Sequence, residues 1–321
     1  MTRPPRPGFG RAHAVLRPVS ARIAVGILAV VAVLAVFGPA LASADPLAQN
    51  TAALLQGPSA DHWLGTDALG RDVLSRLLAG SPVSLAAALL AVLVGLVLGV
   101  VPGLLSVYLG RAAEWLSLRL MDTLIALPFL VFAIAMTALL GNGVVPAMVA
   151  VGILISPAFF RVTRAAALSV ARSPYVEAAT LVGASTPWIV RRHVWRHVLP
   201  AVAVTTASVT GASLVIVSSL TFLGIGVVPP DPTWGGLLAT DLQYLYQRPW
   251  GPFAPALLIV ATVWALNALA DALRDAQTAE AGRDAAADDP SSGAPSPDAG
   301  SAGDPLFPVP DPQVPDREVV R

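Results

Sequence analysis

Six stretches of this 321-residue chain are each long and apolar enough to cross a bilayer as a helix, and no other feature constrains its fold as tightly. A spanning helix needs roughly 20 mostly apolar residues, and backbone crossing lipid must satisfy its own hydrogen bonds. The first stretch, 23–44, is uncharged. The second, 83–108, sets Gly95, Gly99 and Gly103 at four-residue spacing. The third, 120–140, and fourth, 144–160, are joined by the turn Gly141-Asn142-Gly143; the fifth is 201–228 and the sixth 253–273. Prolines 102, 128, 146 and 157 blur several boundaries. Charged residues are 12% of the chain, about half the share a soluble domain carries. That excludes a conventional cytoplasmic enzyme or a nucleic-acid binder. The predicted class is an all-α polytopic membrane protein with six transmembrane helices.

Arginine placement sets the expected orientation, because short loops rich in Arg stay in the cytoplasm. Arg3, Arg6, Arg11, Arg17 and Arg22 precede the first stretch, and Arg161, Arg164, Arg172, Arg191, Arg192 and Arg196 lie between the fourth and fifth. The loops 45–80 and 228–252 are poor in Arg, the second holding only Arg248. Both termini are therefore expected inside a multi-pass protein of the cytoplasmic membrane. The Arg-rich start and the run Ala40-Leu41-Ala42-Ser43-Ala44 also fit a cleavable leader, but the stretch is long enough to span and is read as the first helix.

The domain plan follows: an Arg-rich cytoplasmic segment 1–22, a first helix 23–44, an outer loop 45–82 with a short helix, a five-helix core 83–274 containing a cytoplasmic loop 161–199, and a tail 275–321. The tail holds ten acidic residues against three Arg, with eight Pro, and is expected to be disordered and solvated. The chain contains no Cys and no Lys. Disulfides and thiolate chemistry are excluded, and four scattered His make a metal cage improbable on composition.

The loop 161–199 carries the most specific signal. In Ser173-Pro174-Tyr175-Val176-Glu177-Ala178-Ala179-Thr180-Leu181-Val182-Gly183, Ser173 suits a helix cap, Pro174 its first position, Glu177 its positive end and Gly183 its stop. A second short helix is expected at once, capped by Ser185 or Thr186 with Pro187 first. A short, exposed, capped helix on a cytoplasmic loop is a docking knob. The outer loop adds Gly65-Thr66-Asp67-Ala68-Leu69-Gly70-Arg71-Asp72-Val73-Leu74-Ser75-Arg76, whose Asp67/Arg71 and Asp72/Arg76 spacings suit i,i+4 pairs on a short surface helix.

Glu-Ala-Ala, three residues, Gly, and Leu199-Pro200 further on resemble the signature loop of ABC importer permeases. The outer-loop block, the block Phe222-Leu223-Gly224-Ile225-Gly226 with Pro229-Pro230-Asp231-Pro232-Thr233-Trp234-Gly235, and the ending from Asn267 to Asp275 resemble the dipeptide, oligopeptide and nickel branch, in the smaller subunit of the permease pair. The resemblance covers roughly residues 20–278. It implies the ABC type I importer permease fold, with Glu177, Ala178, Ala179 and Gly183 coupling to an ATPase. It also implies a second homologous permease, two ATPase subunits and an extracytoplasmic substrate-binding protein as partners. One departure stands out. Fifteen residues separate Gly183 from Leu199-Pro200, about one helical turn more than the usual pattern, in a tandem Arg192-His193-Val194-Trp195 and Arg196-His197-Val198-Leu199. An added α-turn is expected to preserve the helix face.

No Gly-x-x-x-x-Gly-Lys-Ser/Thr loop exists, so the chain is read as a transport subunit and not an enzyme, with no cofactor of its own; ATP and Mg belong to partner ATPases. His193 and His197 have metal-compatible spacing but adjoin Arg192 and Arg196, and no metal role is assigned. Asp122 is expected to pair with Arg119, and Asp271 with Arg274. Thr206, Thr210 and Ser213 form an i, i+4, i+7 stripe that lines a path or bonds neighbouring helices. Trp234 and Trp250 suit the membrane interface. The rival function is an ATP-independent secondary transporter or a membrane scaffold. Against coupling to ions, the span centres lack ionisable residues. The expected ligand is a di- or oligopeptide, with nickel or another small solute as the alternative within the branch.

Overall fold

The computed structural model describes residue 15 and residues 18–287, with side chains as far as residue 279. Its helices are α1 (Val19–Leu41), α2 (Val73–Tyr108), α3 (Arg111–Ala126), α4 (Phe129–Leu140), α5 (Val144–Ala171), α6 (Pro174–Leu181), α7 (Thr186–Phe222), α8 (Trp234–Gln243) and α9 (Phe253–Ala287). Among the described residues the one β contact is an isolated bridge between Thr66 and Asp72. Five helices are long and apolar enough to cross a membrane: α1, α2, α5, α7 and α9. The pair α3 and α4 makes a sixth span if counted as one, although it bends by 99°. The bend falls at Leu127-Pro128, where the proline ring bars the preceding residue from helical geometry and Leu127 turns extended (ψ 132°). The third stretch, expected at 120–140, is thus two helices.

A polar cap outweighed an apolar count at the start of the second helix. The second helix begins at Val73, ten residues before the expected start, because the Asp72 side chain accepts from Ser75 N–H at 2.8 Å and caps it. The separate surface helix expected around 67–76 does not form. Asp67 instead closes a tight turn, its Oδ1 accepting the N–H groups of Leu69 and Arg71. The Asp67–Arg71 pair does form, at 2.7 Å, but Arg76 turns to Asp67 (3.5 Å) and not to Asp72, which faces His62 Nδ1 at 3.0 Å.

The core is the seam between α2 and α5. A Cβ on Gly95 would lie 2.6 Å from Ile155 Cγ1, one on Gly99 2.5 Å from Phe159 Cβ, and one on Gly152 2.5 Å from Val94 Cβ. Only hydrogen fits at these positions, so the two backbones approach closely, as helices in lipid do where small residues face one another. Ala88, Ala91, Ala147, Met148 and Val151 continue the contact, buried, and α7 joins it through Leu214 and Val217. Ser213 Oγ, fully buried, donates to Ala88 O of α2 at 3.1 Å.

Opposite the α6 end, the connecting segments form a fastened lid. Trp234 is fully buried, contrary to the interfacial position expected for it. Its backbone N–H donates to Ser84 Oγ (2.9 Å) and its indole N–H to Ser81 Oγ (3.2 Å). Trp250 remains partly exposed. Arg248, 1% exposed, donates to Thr66 O at 2.7 Å and Leu64 O at 2.9 Å, and its guanidinium lies 3.6 Å from Asp241. Burial away from water pushes the Asp241 carboxyl above its ordinary range, and the charge of Arg248 opposes that rise.

The chain divides into two compact units, 1–278 and 279–321. The helix α9 continues past Asp275, where disorder was expected to begin, and is described to Ala287. The remainder of the acidic tail, and residues 1–14, 16 and 17 of the Arg-rich start, lie outside the described residues.

Candidate functional site

The site is built from the short helix α6 and the start of α7. Ser173 occupies the cap position in extended geometry (ψ 144°), Pro174 follows as the first helical residue, and Glu177 sits in the first turn, near the positive end of the peptide dipoles. The Ser173 hydroxyl donates to Val170 O at 2.6 Å, so it anchors the loop to α5 and leaves the expected side-chain cap bond unmade. At the other end Gly183 N–H donates to Thr180 O and Ala184 N–H to Ala179 O, both at 3.0 Å. That is a Schellman stop, and it needs the left-handed backbone that Gly183 adopts at φ 85°.

The side chains divide cleanly. Val176 is buried with Phe159, Val170, Ile189, Val194 and Val198, which fastens α6 to α5 and α7. Glu177, Ala178 and Gly183 are exposed, Ala179 is half-buried, and Leu181 and Val182 are 84% and 86% exposed. The structure thus brings the four expected coupling residues onto one short projection with two solvent-facing apolar side chains beside them. Apolar groups this bare at a helix end are what a protein partner covers. Leu181 and Val182 were not singled out from the sequence, although their place between Thr180 and Gly183 offered the signal.

Two expectations about the next segment need correction. The second short helix starts where expected, with Ser185 at the cap position and Pro187 in the first turn, but it runs on as α7 to Phe222. The tandem repeat is not wholly an added α-turn: Val190–Val194 wind as a π-helix and α geometry resumes at Trp195. The wider turn carries His193 against Tyr175 of α6 (ring centroids 5.6 Å apart) and edge-on to Trp188 (5.3 Å). His197 stacks on Tyr175 at 6.5 Å, and its Nδ1–H donates to His193 O at 2.9 Å. The histidine pair therefore latches α6 to α7. Among the described residues no cluster of three metal-ligating side chains occurs. Beyond the latch, Gln277 of α9 donates to Pro200 O at 2.9 Å, tying the last helix to the Leu199-Pro200 position.

The polar stripe on α7 separates into two behaviours. Thr206 and Thr210 are half-buried and donate to the carbonyls of Val202 and Thr206, four residues back. Ser213 is fully buried against α2, which removes it from any path lining within this chain. Asp122 meets Arg161 of α5 at 3.6 Å, not Arg119, whereas Asp271 meets Arg274 at 3.7 Å as expected. Glu114 and Arg164 form a further contact between α3 and α5 that the sequence did not suggest.

Known proteins resemble the chain in sequence and in fold. Residues 91–280 match the family described as binding-protein-dependent transport system inner membrane component. The chain is 40% identical over 223 residues to the glutathione transport system permease protein GsiD of Pectobacterium atrosepticum, covering 70% of this chain and 74% of that protein. It is 35% identical over 256 residues to the probable D,D-dipeptide transport system permease protein DdpC of Escherichia coli K12, covering 80% and 86%. In fold it is similar to a chain of the inward-facing MetNI methionine ABC transporter, with a TM-score of 0.50 at 18% identity, over 60% of this chain and 92% of that one.

Proposed function

Because the chain belongs to the family of binding-protein-dependent transport system inner membrane components, as an ABC importer permease of the dipeptide and oligopeptide branch, we propose that it carries peptides inward as one half of a permease pair. The observation that carries the reading is α6: a capped helix projecting Glu177, Ala178, Leu181 and Val182 from the bundle, fastened behind by Val176 and Tyr175.

In this reading α6 seats in a groove of an ATPase subunit on the cytoplasmic side, Glu177 and Ala178 making the contact and Gly183 setting the turn. Two ATPases supply ATP hydrolysis with Mg, since this chain has no phosphate-binding loop and no Lys to complete one. A substrate-binding protein delivers the ligand to the lid end, and a second permease completes the cavity. Both termini lie in the cytoplasm, in keeping with the Arg-rich segments at 3–22 and 161–196. The names of GsiD and DdpC support a peptide-like substrate.

The test is purification of the tagged chain from its native membrane with its stoichiometric partners identified. The expected result is a second permease and ATPases, with ATP-dependent peptide uptake in vesicles, and loss of the ATPases on replacing Glu177 and Gly183 by bulky residues. Uptake driven by an ion gradient without ATP would refute the proposal.

A further inference from the structure

Two cavities meet at the start of α7 and differ sharply in chemistry. One, of about 840 Å³, is lined by Pro187, Trp188, Arg191, Arg192 and Arg196. All three arginines are exposed, and none of them is ion-paired among the described residues. The other, of about 560 Å³, is an apolar groove between the last turns of α2 and the start of α7, walled by Val101, Leu105, Leu109 and Val190. Pro187 and Arg191 line both, so the basic and apolar cavities lie side by side.

We propose that this composite cavity binds one anionic phospholipid, its phosphate held by Arg191, Arg192 and Arg196 and an acyl chain lying in the groove along α2. Three observations favour lipid over a protein partner. The groove wall belongs to a helix long and apolar enough to span, where Val101, Leu105 and Leu109 are 51%, 45% and 62% exposed. Trp188 and Trp195 flank the arginines, half-exposed, and amphipathic rings of this kind gather between lipid and water. The charge is complementary, since basic pockets between spanning helices at the cytoplasmic leaflet select anionic headgroups. The π turn contributes directly: it carries Arg191 and Arg192, which line the basic cavity together with Arg196 of the following turn. Lipid seated here would bear on the latch that joins α6 to α7, since His193 lies within the same turn.

The inference rests on the reading that the α6 end faces the cytoplasmic leaflet. The probe is the purified full-length chain in detergent, exchanged with equimolar palmitoyl-oleoyl phosphatidylglycerol and phosphatidylcholine and examined by native mass spectrometry. The expected result is one retained phosphatidylglycerol per chain, preferred about tenfold or more. Arg192→Gln should reduce that preference, and Gln at all three arginines should abolish it, with the melting temperature unchanged. Leu105→Trp, which fills the groove and leaves the charges intact, should weaken retention several-fold. Inorganic phosphate and glycerol 3-phosphate should fail to displace the lipid.

Equal retention of the two lipids, or preference surviving in the triple variant, would overturn the proposal. Displacement by free phosphate would replace it with a simple anion site, and displacement by the co-purified ATPases would reassign the surface to protein docking. Orientation is tested separately by impermeant labelling of Ala178→Cys in intact cells, for which the chain supplies a cysteine-free background. Lipid preference in a chain that recovers no ATPases would sink the importer reading and leave the lipid site standing.

Discussion

Replacing Gly183 separates backbone geometry from side-chain contact at the projecting helix. A Cβ built at this position meets nothing within 4 Å, so within the chain a larger residue has room. What it lacks is the conformation. At φ 85° an L-residue forfeits roughly 1–2 kcal/mol, whereas asparagine tolerates the left-handed region by bonding its own backbone. Alanine recovers about 0.4–1 kcal/mol of that through the unfolded chain, where it has fewer states to lose than glycine. The global cost is therefore about 0–1.6 kcal/mol, while the Schellman bonds from Gly183 and Ala184 bear the full local strain. A local penalty of 1–2 kcal/mol lowers the population of the correctly stopped helix by roughly 5- to 30-fold. ATP-dependent uptake by the reconstituted complex should rank Gly above Asn, Asn above Ala and Ala above Val, with nearly constant melting temperatures. If uptake instead follows side-chain volume, with Ala above Asn, the glycine is retained for space against the partner and the conformational argument fails.

Three further outcomes follow from the lid and the core. Arg248→Ala strips Asp241 of its counter-charge and leaves the Leu64 and Thr66 carbonyls without their donor, and should cost about 3–5 kcal/mol in detergent unfolding; a loss below 1 kcal/mol would show that water replaces the guanidinium. Asp241→Asn should remove a contribution to stability that declines as pH rises, and so steepen the acid limb of the stability profile. Because the folded-state pKa of Asp241 is raised, its contribution is fully present below the ordinary value of 3.8 and is lost as pH rises through the folded value, so the wild-type chain should lose stability over that window relative to the variant. Gly99→Val places atoms on Phe159 Cβ and the α5 backbone and should cost about 1–3 kcal/mol or block accumulation, whereas Gly26→Ala, with nothing within 4 Å, should be silent; equal tolerance at both positions would contradict the close seam.

The spans and the projecting helix were legible because their signals are local. Twenty apolar residues need no partner to be recognised, and Ser173-Pro174 with Gly183 fixes a start and a stop within one short segment. What the sequence hid depends on contacts made far along the chain. Nothing near Trp234 announces that its indole reaches Ser81, and its outer position suggested the interface. Asp72 and Arg76 have ideal spacing for a helical pair, yet the cap bond to Ser75 and the pull of Asp67 win. Arg248 did carry a signal: an arginine alone in an Arg-poor loop is there for a structural reason. The tandem Arg-His-Val repeat disclosed extra length but not how it would be wound, because π and α turns differ in bonding partners and not in composition.

The bare glycine seam between α2 and α5 has a mechanical consequence. Two helices packed this closely at Gly95, Gly99 and Gly152 resist sliding past each other, and the seam is expected to carry load as one beam. One end of that beam carries α6, joined to α5 across Arg172 and Ser173 alone. The other end carries the lid, pinned to α2 by Trp234 and by Arg76, which donates to Pro46 O and Pro230 O. A push on the short helix is then expected to reach the lid as a tilt, as between the two ends of a crank.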